Sequence, residues 1–227
     1  MKAAFAVFIR KVLLRFFMCS RFALMVKPSE LQSEFDLDYV PPQLAPSEDY
    51  YPGRGIPAVV NAAERVVEIL YWGLIPPWAK DISIARHTFN ARSETLREKT
   101  SFRMAYQRRR CLIPATAYYE WRPVNDRKVQ YKFSLRDTKI FMMAGLWEYW
   151  VDPSGNEVYS ATVVTCPAGR GLEAYHDRMP VVFDRYNCWQ WMEDRPLDEL
   201  DQMMAPVDAE YFDIKCADPK LSQLTLF

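Results

Sequence analysis

The sequence predicts a single β-rich α+β domain, and three observations carry that expectation. The chain is 227 residues long, 50% of it is hydrophobic and 26% charged, and from Ala58 onward it offers short β-type runs divided by turn chemistry. A chain of this size and composition buries a substantial core and is too apolar for intrinsic disorder. Its 29 Lys and Arg balance its 29 Asp and Glu. Net charge therefore points to no polyanionic partner, and any nucleic-acid contact has to be local.

The elements follow in order. Residues 1–21, MKAAFAVFIRKVLLRFFMCSR, hold five basic and no acidic residues. Arg10, Lys11 and Arg15 interrupt the apolar runs, which leaves no membrane span and no clean signal-peptide core. We read residues 1–17 as an upstream extension or leader absent from the mature protein, and Met18 as the functional start. Pro28, Pro41, Pro42, Pro46, Pro52 and Pro57 make residues 27–57 a wrapping loop with one short helix. The strand candidates are AVVNA (58–62), RVVEILYWGL (65–74), RCLIPATAYYEW (110–121), VQYKFSL (129–135), KIFMMAGLWEYW (139–150) and YSATVVT (159–165). DPSGN (152–156) reads as a turn between the last two. Weaker helical signals fall at 93–107, 167–175, 184–193 and 197–204.

Cys19, Cys111, Cys166, Cys188 and Cys216 are widely spaced, odd in number and form no CxxC pair. That pattern argues against a zinc site or a disulfide framework and for reduced thiols in a cytosol. Cys111, Cys166, Cys188 and Cys216 read as small buried hydrophobes. Between Arg92 and Arg110 seven cations stand against Glu94 and Glu98, the best phosphate-binding stretch by composition. A solvated helix face with ordinary ion pairs is the plainer reading of that run. Trp72, Trp78 and Phe102 are rings on which unpaired bases stack, or simply core.

Three polar residues have the right chemistry for proton work. His176, in YHDRMP, sits at a turn where a titratable imidazole suits proton transfer, or makes a structural hydrogen bond. Glu120, in YYEW, lies among aromatic neighbours at the end of a strand, where desolvation raises a carboxylate, unless it points outward. Asn90, in FNARSE, precedes a helical signal and reads by itself as an N-cap.

MCSRF, FNARSE, YYEW and HDRMP, in that order and at these separations, resemble the SOS response-associated peptidase family, whose members are also called abasic site processing proteins. WGLIPPW, FMMAGLWEYW and ATVVTCPAGRGLEAYHDRMPVVF fit the resemblance, which covers roughly residues 18–205. It implies a mainly antiparallel, twisted or barrel-like sheet with short flanking helices, forming a catalytic domain over 18–215. It implies four catalytic residues: Cys19, N-terminal once Met18 is removed, with Asn90, Glu120 and His176. It also implies contacts to single-stranded DNA from Arg21, Trp78, Arg92, Phe102 and Arg178. The activity so implied is covalent capture of abasic sites. The amine of an N-terminal cysteine condenses with the ring-opened aldehyde and its thiol closes a thiazolidine, with no metal or organic cofactor. An internal cysteine, its nitrogen tied up in an amide, has only the thiol.

Two departures stand out. Ser20 replaces a usual glycine, and YYPGRGIPAVV stands where an asparagine-containing segment is typical. The tail, residues 216–227, ends in Gln223, Leu224, Thr225, Leu226 and Phe227, which look like the peptide by which bacterial proteins dock on the sliding clamp, or form a last strand packed on the domain. Three functions remain in view: a monomeric, cytoplasmic, replication-fork-associated protein with adduct-forming, lyase-like and autoproteolytic activity in the DNA damage response; a peptidase with an N-terminal nucleophile acting on proteins; and a clamp-binding module without chemistry.

Overall fold

The computed structural model describes residues 19–61, 63–125 and 127–217. The leader and the QLTLF tail lie outside the described residues. After β1 (Phe22–Leu24), helix α1 (Pro28–Phe35) forms where the proline-rich segment permits. Pro28 stands at the helix start, where its missing N–H is no loss, and the Lys27 N–H donates to the Glu30 carboxylate three residues on. Leu31 and Phe35, four apart, bury one face, and Asp36 at φ 49° ends the helix. The rest of that segment is more regular than the prolines suggest: β2 (Ser47–Tyr50) and β3 (Gly55–Val59) both form. Pro57 opposes Ile69 within the β3–β4 ladder.

The remaining strands are β4 (Val67–Trp72), β5 (Asn90–Arg92), β6 (Arg110–Ala115), β7 (Ala117–Val124), β8 (Arg127–Leu135), β9 (Phe141–Val151), β10 (Glu157–Pro167), β11 (Arg178–Pro180), β12 (Val182–Phe183) and β13 (Phe212–Cys216). Helices α2 (Arg103–Arg108) and α3 (Leu197–Met203) are short. The β10–β4–β3–β6–β9 pairings return to β10 and close a five-stranded barrel. β5, β11 and β12 extend it. All its pairings are antiparallel except β4 and β5 on β10. A second, wholly antiparallel sheet runs β13–β8–β7–β1–β2. Closure removes the free edges of the barrel, and the mainly antiparallel, barrel-like α+β expectation is met.

Two local readings are corrected. The run 110–121 is not one strand: at Thr116 the chain leaves the barrel for the second sheet, where the Thr116 N–H and hydroxyl both donate to the Ala23 carbonyl. The helix read at 167–175 does not form: Pro167 ends β10, and residues 168–175 are coil and turns. Pro167, Gly169 and Gly171 break the pattern, and Gly171 takes φ +86°. Between the two sheets lies the core. Phe22 of β1 packs on Tyr50 at 4.8 Å and on Trp72 of the barrel at 5.2 Å, while Tyr118 stacks on Phe133 at 4.8 Å. Cys111, Cys166 and Cys188 are buried as expected, whereas Cys216 at the end of β13 is half-buried.

Candidate functional site

Cys19 enters just before β1, and the Phe22↔Tyr118 register carries it back along β7. There the buried Cys19 backbone nitrogen donates to Glu120 Oε1 at 2.7 Å. Its carbonyl accepts from Asn90 Nδ2 at 3.2 Å. Asn90 is not a helix cap: it begins β5, opposite Val163 of β10. Ser20 adopts no positive φ, so serine stands there without backbone strain.

Glu120 points inward from β7 and is 2% exposed. Burial pushes its carboxyl up to about 8; the bond from Cys19 opposes the rise and nearby Asp177 adds to it. Glu120 Oε2 is buried without a hydrogen-bond partner among the described residues. Burial, with Glu120 adding to it, also raises the Cys19 thiol well above its ordinary value. The sulfur is thus held as a thiol.

His176 follows Tyr175 at the turn the sequence indicated. Tyr175 meets Tyr131 edge-on at 4.8 Å, and Tyr131 lies directly across from Glu120 on β8. His176 thus follows directly on a residue packed against that wall, and no hydrogen bond joins it to the other three among the described residues. Its Nδ1 accepts from the Arg178 N–H at 3.1 Å, which leaves Nε2 as the protonated nitrogen of the neutral ring. Burial lowers its pKa, with Asp177 opposing.

The five other residues differ in availability. Trp78 is 56% exposed and Arg92 is exposed without an ion pair among the described residues. Arg21 donates to Gln130 at 2.7 Å, pairs with Asp49 and lies over the Tyr119 ring. Arg178 is buried, with Glu94 taking two of its bonds at 2.6 and 2.8 Å and Thr165 the others. That pairing holds Glu94 down at about 2. Phe102 is buried at the start of α2. In the basic run, Arg97 pairs with Asp198 and Asp201, Arg109 with Glu148, and buried Arg110 donates to four backbone carbonyls. Composition overstated its free charge.

Residues that sequence reasoning missed are Tyr131, Tyr175, Asp177 and Arg122. The signal available for Arg122 was its spacing: two positions after Glu120 on a strand, it shares that residue's face.

A two-sheet barrel enclosing a cysteine whose nitrogen and carbonyl are both gripped by side chains defines a distinct class of protein, and comparison with known proteins bears on which. A crystal structure of a protein from Bacteroides thetaiotaomicron aligns with TM-score 0.80 at 24% identity, over 90% of this chain and 99% of that one, so the fold is shared. Abasic site processing protein YoqW of Bacillus subtilis is 36% identical over 199 residues, 85% of this chain and 89% of YoqW. Abasic site processing protein YobE of the same organism is 35% identical over 199 residues, covering 85% and 91%. The SOS response associated peptidase (SRAP) family matches residues 18–222, and this chain belongs to that family.

Proposed function

We propose that this protein captures abasic sites in single-stranded DNA covalently, through Cys19 as the N-terminal residue of its active form. The observation that carries the reading is that the buried carboxylate reaches the nitrogen of Cys19, at 2.7 Å. A simple thiol nucleophile would need its pKa depressed, whereas this one is raised. Nitrogen attacks first. The names carried by YoqW and YobE support the same substrate.

Each step balances. The Nε2–H of His176 donates to the sugar ring oxygen as the bond from C1 to that oxygen breaks, and the C1 hydroxyl returns its proton to Nε2 through water, so the abasic sugar opens to its aldehyde with the imidazole still neutral. The α-amine adds to the aldehyde carbon, and the resulting carbinolamine loses water, with Glu120 supplying the proton to the departing hydroxyl and taking the nitrogen's proton back as the imine forms. A free α-amine titrates near 8, close to Glu120, so proton transfer between them costs little. The Cys19 sulfur then adds to the imine carbon while its proton passes to nitrogen, closing a thiazolidine. Asn90 holds the Cys19 carbonyl throughout. If residues 1–17 stayed attached, the nitrogen would be an amide and the first step would fail, so the active domain starts after Met18.

The tail adds a partner: Gln223, Leu224, Leu226 and Phe227 dock on the sliding clamp and keep the monomer near replication forks. Deleting residues 223–227 abolishes clamp binding if this holds.

The decisive experiment incubates Met18-start protein with an oligonucleotide bearing an abasic site, followed by denaturing electrophoresis. A denaturation-resistant adduct, lost in Cys19→Ala and in protein retaining residues 1–17, is expected. Peptide release without an adduct would instead favour the protein-directed peptidase.

A further inference from the structure

We propose that Arg122 is a phosphate-binding residue of this site, gripping the DNA backbone beside the lesion while Tyr175 holds its guanidinium flat. The proposal rests on the reading that single-stranded DNA occupies the site. Arg122 lies two residues beyond Glu120 on β7, so both side chains leave one face of the strand, about 6.8 Å apart along it. Tyr118 shares that face and stacks on Phe133. Ala117 and Tyr119 lie on the opposite face, in a cluster with Ala23 against which Trp121 packs.

A continuous aromatic wall leads from the core to Arg122. Phe133 meets Tyr175 edge-on at 5.3 Å, Tyr131 meets the same ring at 4.8 Å, and the Arg122 guanidinium lies 5.6 Å from its centre. Tyr175 is thus wedged between two rings of β8. A guanidinium resting on a fixed ring has already lost much of its freedom, while its N–H edge stays open to an anion. Glu120 shares the strand face of Arg122, so an anion held by Arg122 lies on the Glu120 side of β7.

Charge pairing leaves Arg122, like Arg92, without a carboxylate partner among the described residues. Arg21 is neutralised by Asp49, Arg178 by Glu94, Arg97 by Asp198 and Asp201, and Arg109 by Glu148. Arg122 forms no ion pair among the described residues and is half-buried. A phosphate there gains charge-assisted hydrogen bonds without displacing a carboxylate. At Arg21 or Arg178 it has to compete with one.

The test uses a Cys19→Ala background, which separates binding from adduct chemistry, and an unmodified single-stranded oligonucleotide across a range of salt. Arg122→Gln, similar in length but neutral, should weaken binding about tenfold at low salt and reduce the slope of log K against log salt by about 0.7, the value for one single-strand phosphate contact. Arg122→Lys should restore the slope. Lys139→Gln, which removes a charge at a remote exposed ion pair, should leave both unchanged. An Arg122→Gln protein that melts normally and keeps the parent affinity and slope overturns the proposal, as does an equal loss in Lys139→Gln. If the protein with Cys19 forms no adduct while the Arg122 dependence persists, the chemistry proposed above fails and this inference stands.

Discussion

Replacing Glu120 by glutamine should change how stability depends on pH more than it changes stability itself. Burial raises this carboxyl from 4.5 to about 8, and Oε2 has no hydrogen-bond partner among the described residues. The folded protein therefore holds a proton between those values that the unfolded chain releases. Stability from this group is full below 4.5 and falls as pH rises toward 8. At about 1.36 kcal/mol per pH unit, the rise sets a ceiling of about 5 kcal/mol on the loss. Glutamine keeps an acceptor for the Cys19 N–H but buries an amide N–H₂ where Oε2 stood, a cost of about 1–3 kcal/mol that does not vary with pH. Denaturant titrations between pH 4 and 9 should show the parent losing ground steadily while Glu120→Gln stays flatter, with the two curves converging or crossing at alkaline pH. Parallel curves would refute a raised Glu120 and, with it, the proton match to the α-amine.

Other perturbations test separate contacts. Asn90→Ala removes the 3.2 Å bond to the Cys19 carbonyl and should cost about 1 kcal/mol in denaturant unfolding while slowing adduct formation more than that loss implies. His176→Gln should flatten the acid side of the stability profile. Burial lowers the folded pKa below 6.5, so stability present above 6.5 is lost as pH falls through the folded value, and an unchanged acid limb would contradict this. Gly73→Ala forces φ +139° on a residue with a Cβ 2.7 Å from the Ala85 carbonyl oxygen, and a calorimetric scan should show a loss of about 2 kcal/mol, or about 4–8 °C.

Much of the sheet structure was legible because alternation is a local property. Val129, Tyr131, Phe133 and Leu135 lie on one face of β8 and Lys128, Gln130, Lys132 and Ser134 on the other, as period-2 patterning requires. Asn90 was misread as a cap because three residues paired to a distant strand leave no periodicity. Its strand character comes from β10, more than seventy residues away. The break at Thr116 was hidden for the same reason: apolar residues continue through it, and only the Ala23 carbonyl marks the change of sheet.

The order of Cys19, Asn90, Glu120 and His176 was carried by short motifs, and the family resemblance in those motifs implied amine, thiol and proton chemistry. Their convergence was not, because the bonds that join them span sequence separations of 101 and 71 residues. Tertiary structure alone decided which charges are free, since an arginine's neighbours across strands determine whether a carboxylate already holds it. Arg178 and Arg122 look equivalent in sequence; one is buried against Glu94, and the other lies beside Tyr175 with no ion pair among the described residues. The identity of Cys19 is likewise a sequence fact and the resemblance already implied a role for its nitrogen, but only folding buries the sulfur beside a carboxylate and aims that carboxylate at the backbone atom.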